Sequence, residues 1–69
     1  MSQFALSNRL RECRTALELT QAQLGEVVGV SRKTINTVEN GIFIPSTLLA
    51  LKLARALGRP VEDLFALVE

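Results

Sequence analysis

Histidine, tryptophan and tyrosine are absent from this chain, cysteine occurs once, and eight basic residues against seven acidic ones leave a net charge of only +1. Each shortage removes a class of function. With no histidine and a single thiol, Cys13, the chain lacks the ligand clusters of a zinc site and has no internal disulfide, so neither a metal nor another cofactor is expected. No carboxylate pair in a defined setting and no phosphate-cradling glycine loop is visible, so an enzyme is not expected, and no small-molecule ligand site is evident. There is no run of about 18 apolar residues, and Arg9 and Arg11 interrupt the N-terminal region before a signal-peptide core. A soluble, cytoplasmic protein without membrane contact is expected, and a reducing compartment suits the lone cysteine.

What the chain does have is apolar residues, at 48% of 69 positions, with a mean hydropathy of +0.26. A single domain over residues 1–69 is expected, and a chain this short buries only about 60% of its unfolded surface, so some apolar surface is left for a partner. Charge is informative by position rather than in sum. Arg32 and Lys33 are adjacent in a window, 27–38, without acids, and Lys52, Arg55 and Arg59 form a second acid-free stretch.

Leu6, Leu10, Cys13 and Leu17 recur at helical spacing and predict a first helix over Ser7–Glu18, with Cys13 a buried hydrophobe rather than a redox sensor. Thr20 and Gln23 match a capping box that opens a second helix, whose apolar side is Leu24, Val27 and Val28 and which Gly29 ends. Ser31 caps a third helix over Arg32–Asn40, stopped by Gly41. Residues 42–45 read as a loop ending in Pro45. Ser46 then caps a fourth helix with Leu48, Leu51, Ala54 and Leu57 on one face, widened by Leu49 and Leu53 and closed by Gly58. Pro60 opens a short fifth helix through Leu64 or Phe65, and residues 65–69 are open between helix and strand. The expected fold is all-α, a compact five-helix bundle, with a short terminal strand or extension as the one allowance.

The short helix, glycine-containing turn and second helix over residues 20–40 have the spacing of a helix-turn-helix. The third helix has two faces: Ile35, Val38 and Glu39 lie on one, and Arg32, Lys33, Asn36, Thr37 and Asn40 on the other. A polar helix face by itself is more often an ordinary solvated surface than a base-reading one, and only the flanking pattern reverses that balance. Arg and Lys donate to guanine O6 and N7, Asn pairs with adenine, and the Thr methyl packs on thymine.

The run L-T-Q-A-Q-L-G-E-V-V-G-V-S-R-K-T-I-N-T-V-E-N-G, Leu19 to Gly41, resembles the helix-turn-helix of the Xre/Cro phage-repressor family. The resemblance continues through Pro45, the L-x-x-L-x-x-A-x-x-L pattern of the fourth helix and the closing V-E-D-L-F. It implies a lambda-repressor-like domain in which Gln21, at a helix N-terminus, grips phosphate. Ser31 and Asn40 match other backbone-contacting positions. Arg32, Lys33 and Thr37 match the principal base-reading positions, joined by Thr34 and Asn36. Arg-Lys stands where several phage repressors carry Gln-Gln, so their operators do not transfer and guanine contacts are favoured. Arg14, beside the buried stripe of the first helix, and Glu39 are charges of opposite sign that invite pairing. The resemblance implies a structural salt bridge between them.

One helix in one groove reads about four or five base pairs, too few for a genomic site. A homodimer on a palindrome is therefore expected, formed within residues 47–69 through the fifth helix and C-terminal segment. Phe4, Leu6, Leu49, Leu53, Phe65, Leu67 and Val68 are its spare apolar residues. The expected function is a sequence-specific transcriptional regulator, a repressor, acting on double-stranded DNA through the major groove. The alternatives are an antitoxin that binds a toxin and autoregulates, or a restriction-modification controller protein.

Overall fold

Three hydroxyl side chains decide where helices begin in the computed structural model, which describes residues 5–68. Thr20 Oγ1 accepts from the Gln23 backbone N–H at 3.0 Å while Gln23 Oε1 accepts from the Thr20 N–H at 2.8 Å. Ser31 Oγ accepts from the Thr34 N–H and Ser46 Oγ from the Leu49 N–H, both at 3.1 Å. Each such cap contributes about 1 kcal/mol by satisfying a donor that the helix itself leaves unpaired.

The elements in chain order are β1 (Ala5–Asn8), α1 (Leu10–Ala16), α2 (Gln21–Val28), α3 (Arg32–Glu39), α4 (Thr47–Leu57), α5 (Val61–Leu64) and β2 (Phe65–Val68). Each helix sends at least one fully buried side chain to the centre: Leu10, Leu24, Ile35 with Val38, Leu53 and Leu64. Cys13, 3% exposed, packs in the same cluster.

The all-α expectation is corrected by a two-stranded antiparallel sheet that closes the bundle. β1 and β2 pair with Leu6 opposite Leu67 and Asn8 opposite Phe65, so the ambiguous C-terminal segment is a strand. Ser7 and Asn8, placed by their spacing at the start of a helix, are sheet residues instead. The physical reason lies far away in sequence. The Arg9 N–H donates to the Leu64 carbonyl at 2.8 Å, continuing the ladder up to the first turn of α1. Asn8 Oδ1 accepts from the Leu10 N–H at 3.3 Å and its Nδ2 donates to the Val38 carbonyl at 3.2 Å, joining the helix start to the end of α3.

Several apolar faces also differ from the periodic reading. Leu17, Val27, Leu48 and Leu51 are exposed, whereas Leu49 and Leu53 are core residues and not spare ones. Leu6, Leu67 and Val68 are exposed as well, and Phe65 is half-buried against the core. Phe4 lies outside the described residues.

Candidate nucleic-acid interface

The turn between α2 and α3 depends on two glycines with different tasks. Gly29 takes a left-handed φ of 80°, and the chain folds back so that the Val30 N–H meets the Gly25 carbonyl at 2.9 Å. A Cβ on Gly25 would stand 2.7 Å from the Val30 carbonyl oxygen, so the close approach of the turn to α2 requires its absence. Ser31 follows directly, and its hydroxyl both caps α3 and lies 3.1 Å from Thr34 Oγ1.

One carboxylate holds α3 in place. The Glu39 side chain is fully enclosed, and Arg14 grips it twice, with Nε donating to Oε2 at 2.6 Å and Nη2 to Oε1 at 3.1 Å. Arg14 Nη1 also donates to the Leu19 carbonyl at 2.7 Å, which fixes the α1–α2 connection. Gln21 Nε2 at 3.0 Å and Arg11 Nε at 3.3 Å complete the donors on Oε1. Burial works to raise the Glu39 pKa; hydrogen bonds from Arg14, Gln21 and Arg11 outweigh it and hold the carboxyl below its ordinary value. α1, α2 and α3 are thus pinned to a single anion.

Of the polar residues singled out in sequence, Gln21, Asn36 and Asn40 are gathered into this network. Asn36 Nδ2 reaches Gln21 Oε1 at 3.5 Å, and Asn40 Nδ2 donates to the Asn36 carbonyl at 2.9 Å and to its side-chain oxygen at 3.2 Å. Thr37 Oγ1 donates to the Thr34 carbonyl at 2.9 Å. Arg32 and Lys33 stand apart. Both are exposed in the first turn of α3, and no salt bridge or side-chain hydrogen bond among the described residues engages them. Sequence reasoning passed over Asn8 and Arg11, whose partners Val38, Glu39 and Asn40 lie about thirty positions away. Among the described residues no cluster of His, Cys, Asp and Glu could hold a metal, and no helix is long and apolar enough to cross a membrane.

Residues 10–64 match the helix-turn-helix family, a span that includes all five helices. This chain belongs to the Xre/Cro-like helix-turn-helix family. That family is one of DNA-binding transcriptional regulators. Over 64 residues the regulator is 42% identical to the HTH-type transcriptional regulator YgzD of Bacillus subtilis, covering 93% of this chain and 97% of that one. It is similar to the restriction-modification controller protein C.AhdI of Aeromonas hydrophila, with a TM-score of 0.76 and 40% identity over 80% of this chain and 83% of that one. The P22 c2 repressor, solved in complex with a synthetic operator, gives a TM-score of 0.76 and 35% identity over 78% of this chain and 82% of that one.

Proposed function

We propose that this regulator represses transcription in the cytoplasm as a homodimer on a palindromic operator, with α3 of each protomer in the major groove. One observation carries the reading. Arg32 and Lys33 are exposed and without a side-chain partner among the described residues at the N-terminal end of α3, the end that meets base edges in this docking mode, while the opposite face of that helix is held by Ile35, Val38 and Glu39. Arg32, Lys33 and Thr37 are assigned to bases, with Thr34 and Asn36 beside them. Asn36 spends its amide on Gln21 and Asn40, so its role is to brace the reading helix as much as to touch adenine.

Gln21, Ser31 and Asn40 are assigned to phosphates. Self-association is supported by a continuous apolar strip. Leu6 and Leu67 are cross-strand neighbours on one face of the sheet, and Leu6 and Phe65 line a groove with Ile44, Pro45 and Leu51. A symmetric pair would present two α3 helices to half-sites about 34 Å apart.

Selection of bound sequences from random duplexes tests the reading. The unaltered chain should yield a palindromic motif. Arg32→Ala should relax preference at one position in each half-site and cost about 1–3 kcal/mol there. A chain that enriches no motif is not a sequence-specific regulator. The resemblance to a restriction-modification controller favours one second reading, regulation of the opposite sign, which a promoter–reporter assay separates from repression.

A further inference from the structure

The three side chains assigned to phosphate, Gln21, Ser31 and Asn40, are all uncharged. A neutral amide or hydroxyl can position a phosphate, but only a cation that replaces condensed counterions makes affinity depend steeply on salt. With eight basic residues against seven acidic ones, the protein has little surplus positive charge to give. The cation next to the proposed clamp is Arg11, which the sequence reading left out.

Two guanidinium groups face the single Glu39 carboxylate, and their positions differ. The Arg14 side chain is 11% exposed and bonds to both carboxylate oxygens, at 2.6 and 3.1 Å, so it is the principal counter-charge of the buried carboxylate. The Arg11 side chain is 58% exposed, and its contacts among the described residues are a 3.3 Å one from Nε to Oε1 and a 3.3 Å one from Nη2 to Asn40 Oδ1. It is the surplus charge at the edge of the network. The nearest acid on its own helix, Glu12, is exposed and paired with Arg9 at 3.4 Å. Arg11 therefore shares an acceptor with Gln21 and is bonded to Asn40, two of the proposed phosphate ligands, while more than half of its side chain is exposed.

We infer that Arg11 is a DNA phosphate-binding residue, supplying from α1 the positive charge that completes a clamp otherwise built of neutral groups. The inference rests on the proposed phosphate roles of Gln21 and Asn40. A phosphate held by their amides lies beside the Arg11 guanidinium, which trades its two long internal contacts for a charge-assisted one. The contact carries no base information.

The test is the salt dependence of binding to a mixed-sequence duplex and to the selected operator, for the unaltered chain, Arg11→Gln and Arg11→Lys. Loss of the charge should make the slope of log affinity against log salt shallower by about 0.9 per bound protomer on both duplexes, without altering base preference. Arg11→Lys should restore the slope even though it cannot reproduce the forked contacts with Glu39 and Asn40. Thermal unfolding of each variant fixes the folded fraction; should Arg11→Gln lower it, Arg11→Met, which keeps the aliphatic stem, serves as the neutral variant. An unchanged slope in the neutral variant, with wild-type binding intact, overturns the inference and leaves Arg11 a structural partner of Glu39. If the neutral variant instead loses base preference while its slope is unchanged, the inference again fails. Absence of duplex binding by the unaltered chain would overturn this inference and the DNA-binding reading together.

Discussion

Glu39 is an acid that costs energy to bury and is nevertheless enclosed completely, because four donor contacts from Arg14, Gln21 and Arg11 meet it there. Its folded-state pKa lies below the ordinary value, so its ionised form contributes stability that is fully present above the unfolded pKa of about 4.3. That contribution is lost as pH falls from there through the lowered folded value. In acid titrations followed by thermal unfolding, the difference in stability between the unaltered chain and Glu39→Gln should be about 3–5 kcal/mol near neutrality, since the substitution leaves Arg14 buried without its counter-charge. It should shrink steadily below pH ~4. A difference that does not change with pH would mean that Glu39 is not titrating in that window. The pairing of Arg14 with Glu39 was accessible because each sits beside an apolar stripe where a charge needs a partner, and the family resemblance implied which two meet. Gln21 as a strut between Glu39 and Asn36 was not, because its partners are set by how α2 meets α3 and not by any local pattern.

The end of α1 shows an element closed with an unfavourable residue. Glu18 has a φ of 58°, and the N–H groups of Glu18 and Leu19 turn back to the carbonyls of Thr15 and Arg14 at 2.9 and 3.3 Å, a left-handed helix stop made without glycine. A non-glycine residue in that conformation costs about 1–2 kcal/mol, part of which a glycine returns through the greater freedom of its unfolded chain. Glu18→Gly should therefore raise stability by about 0.5–1 kcal/mol in denaturant unfolding, with the slope of the transition unchanged; a loss of stability would show that the Glu18 side chain makes a contribution larger than its strain. Helix boundaries were legible wherever the signal was local: Thr20 with Gln23, Ser31 and Ser46 open helices at the residues expected, and Gly29 and Gly58 close them. The sheet was not legible, since Leu6 finds Leu67 only after the five helices have brought the two ends of the described chain together. Nor could periodicity alone sort Leu48 and Leu51 from Leu49 and Leu53, because α4 has apolar residues on more than one face and only packing selects which of them is core.

That surplus of apolar residues is a property of the whole molecule. Leu49 and Leu53 are consumed by the core, so the surface left for the proposed second copy is narrower than composition suggested and runs from the sheet to the middle of α4: Leu67, Leu6, Ile44 and Leu51, bordered by Phe65. Leu51 is 54% exposed in the middle of an eleven-residue helix, where exposure serves no internal contact. Burying the rest of such a side chain is worth about 1–2 kcal/mol, and a symmetric interface gains it twice. Leu51→Glu removes that gain and sets two carboxylates against apolar surface. It should weaken self-association by at least about a hundredfold in sedimentation equilibrium, two increments of about 1.4 kcal/mol each being a factor of ten. The isolated protomer should lose little stability, because the side chain is exposed and is not part of the core cluster. Binding should follow the same division. A monomeric Leu51→Glu variant keeps Arg32, Lys33 and the Glu39 network, so it should retain weak affinity for a half-site while losing the steep gain in affinity that a full palindrome gives. If it binds the full palindrome as tightly as the unaltered chain does, the proposed self-association through this surface is wrong.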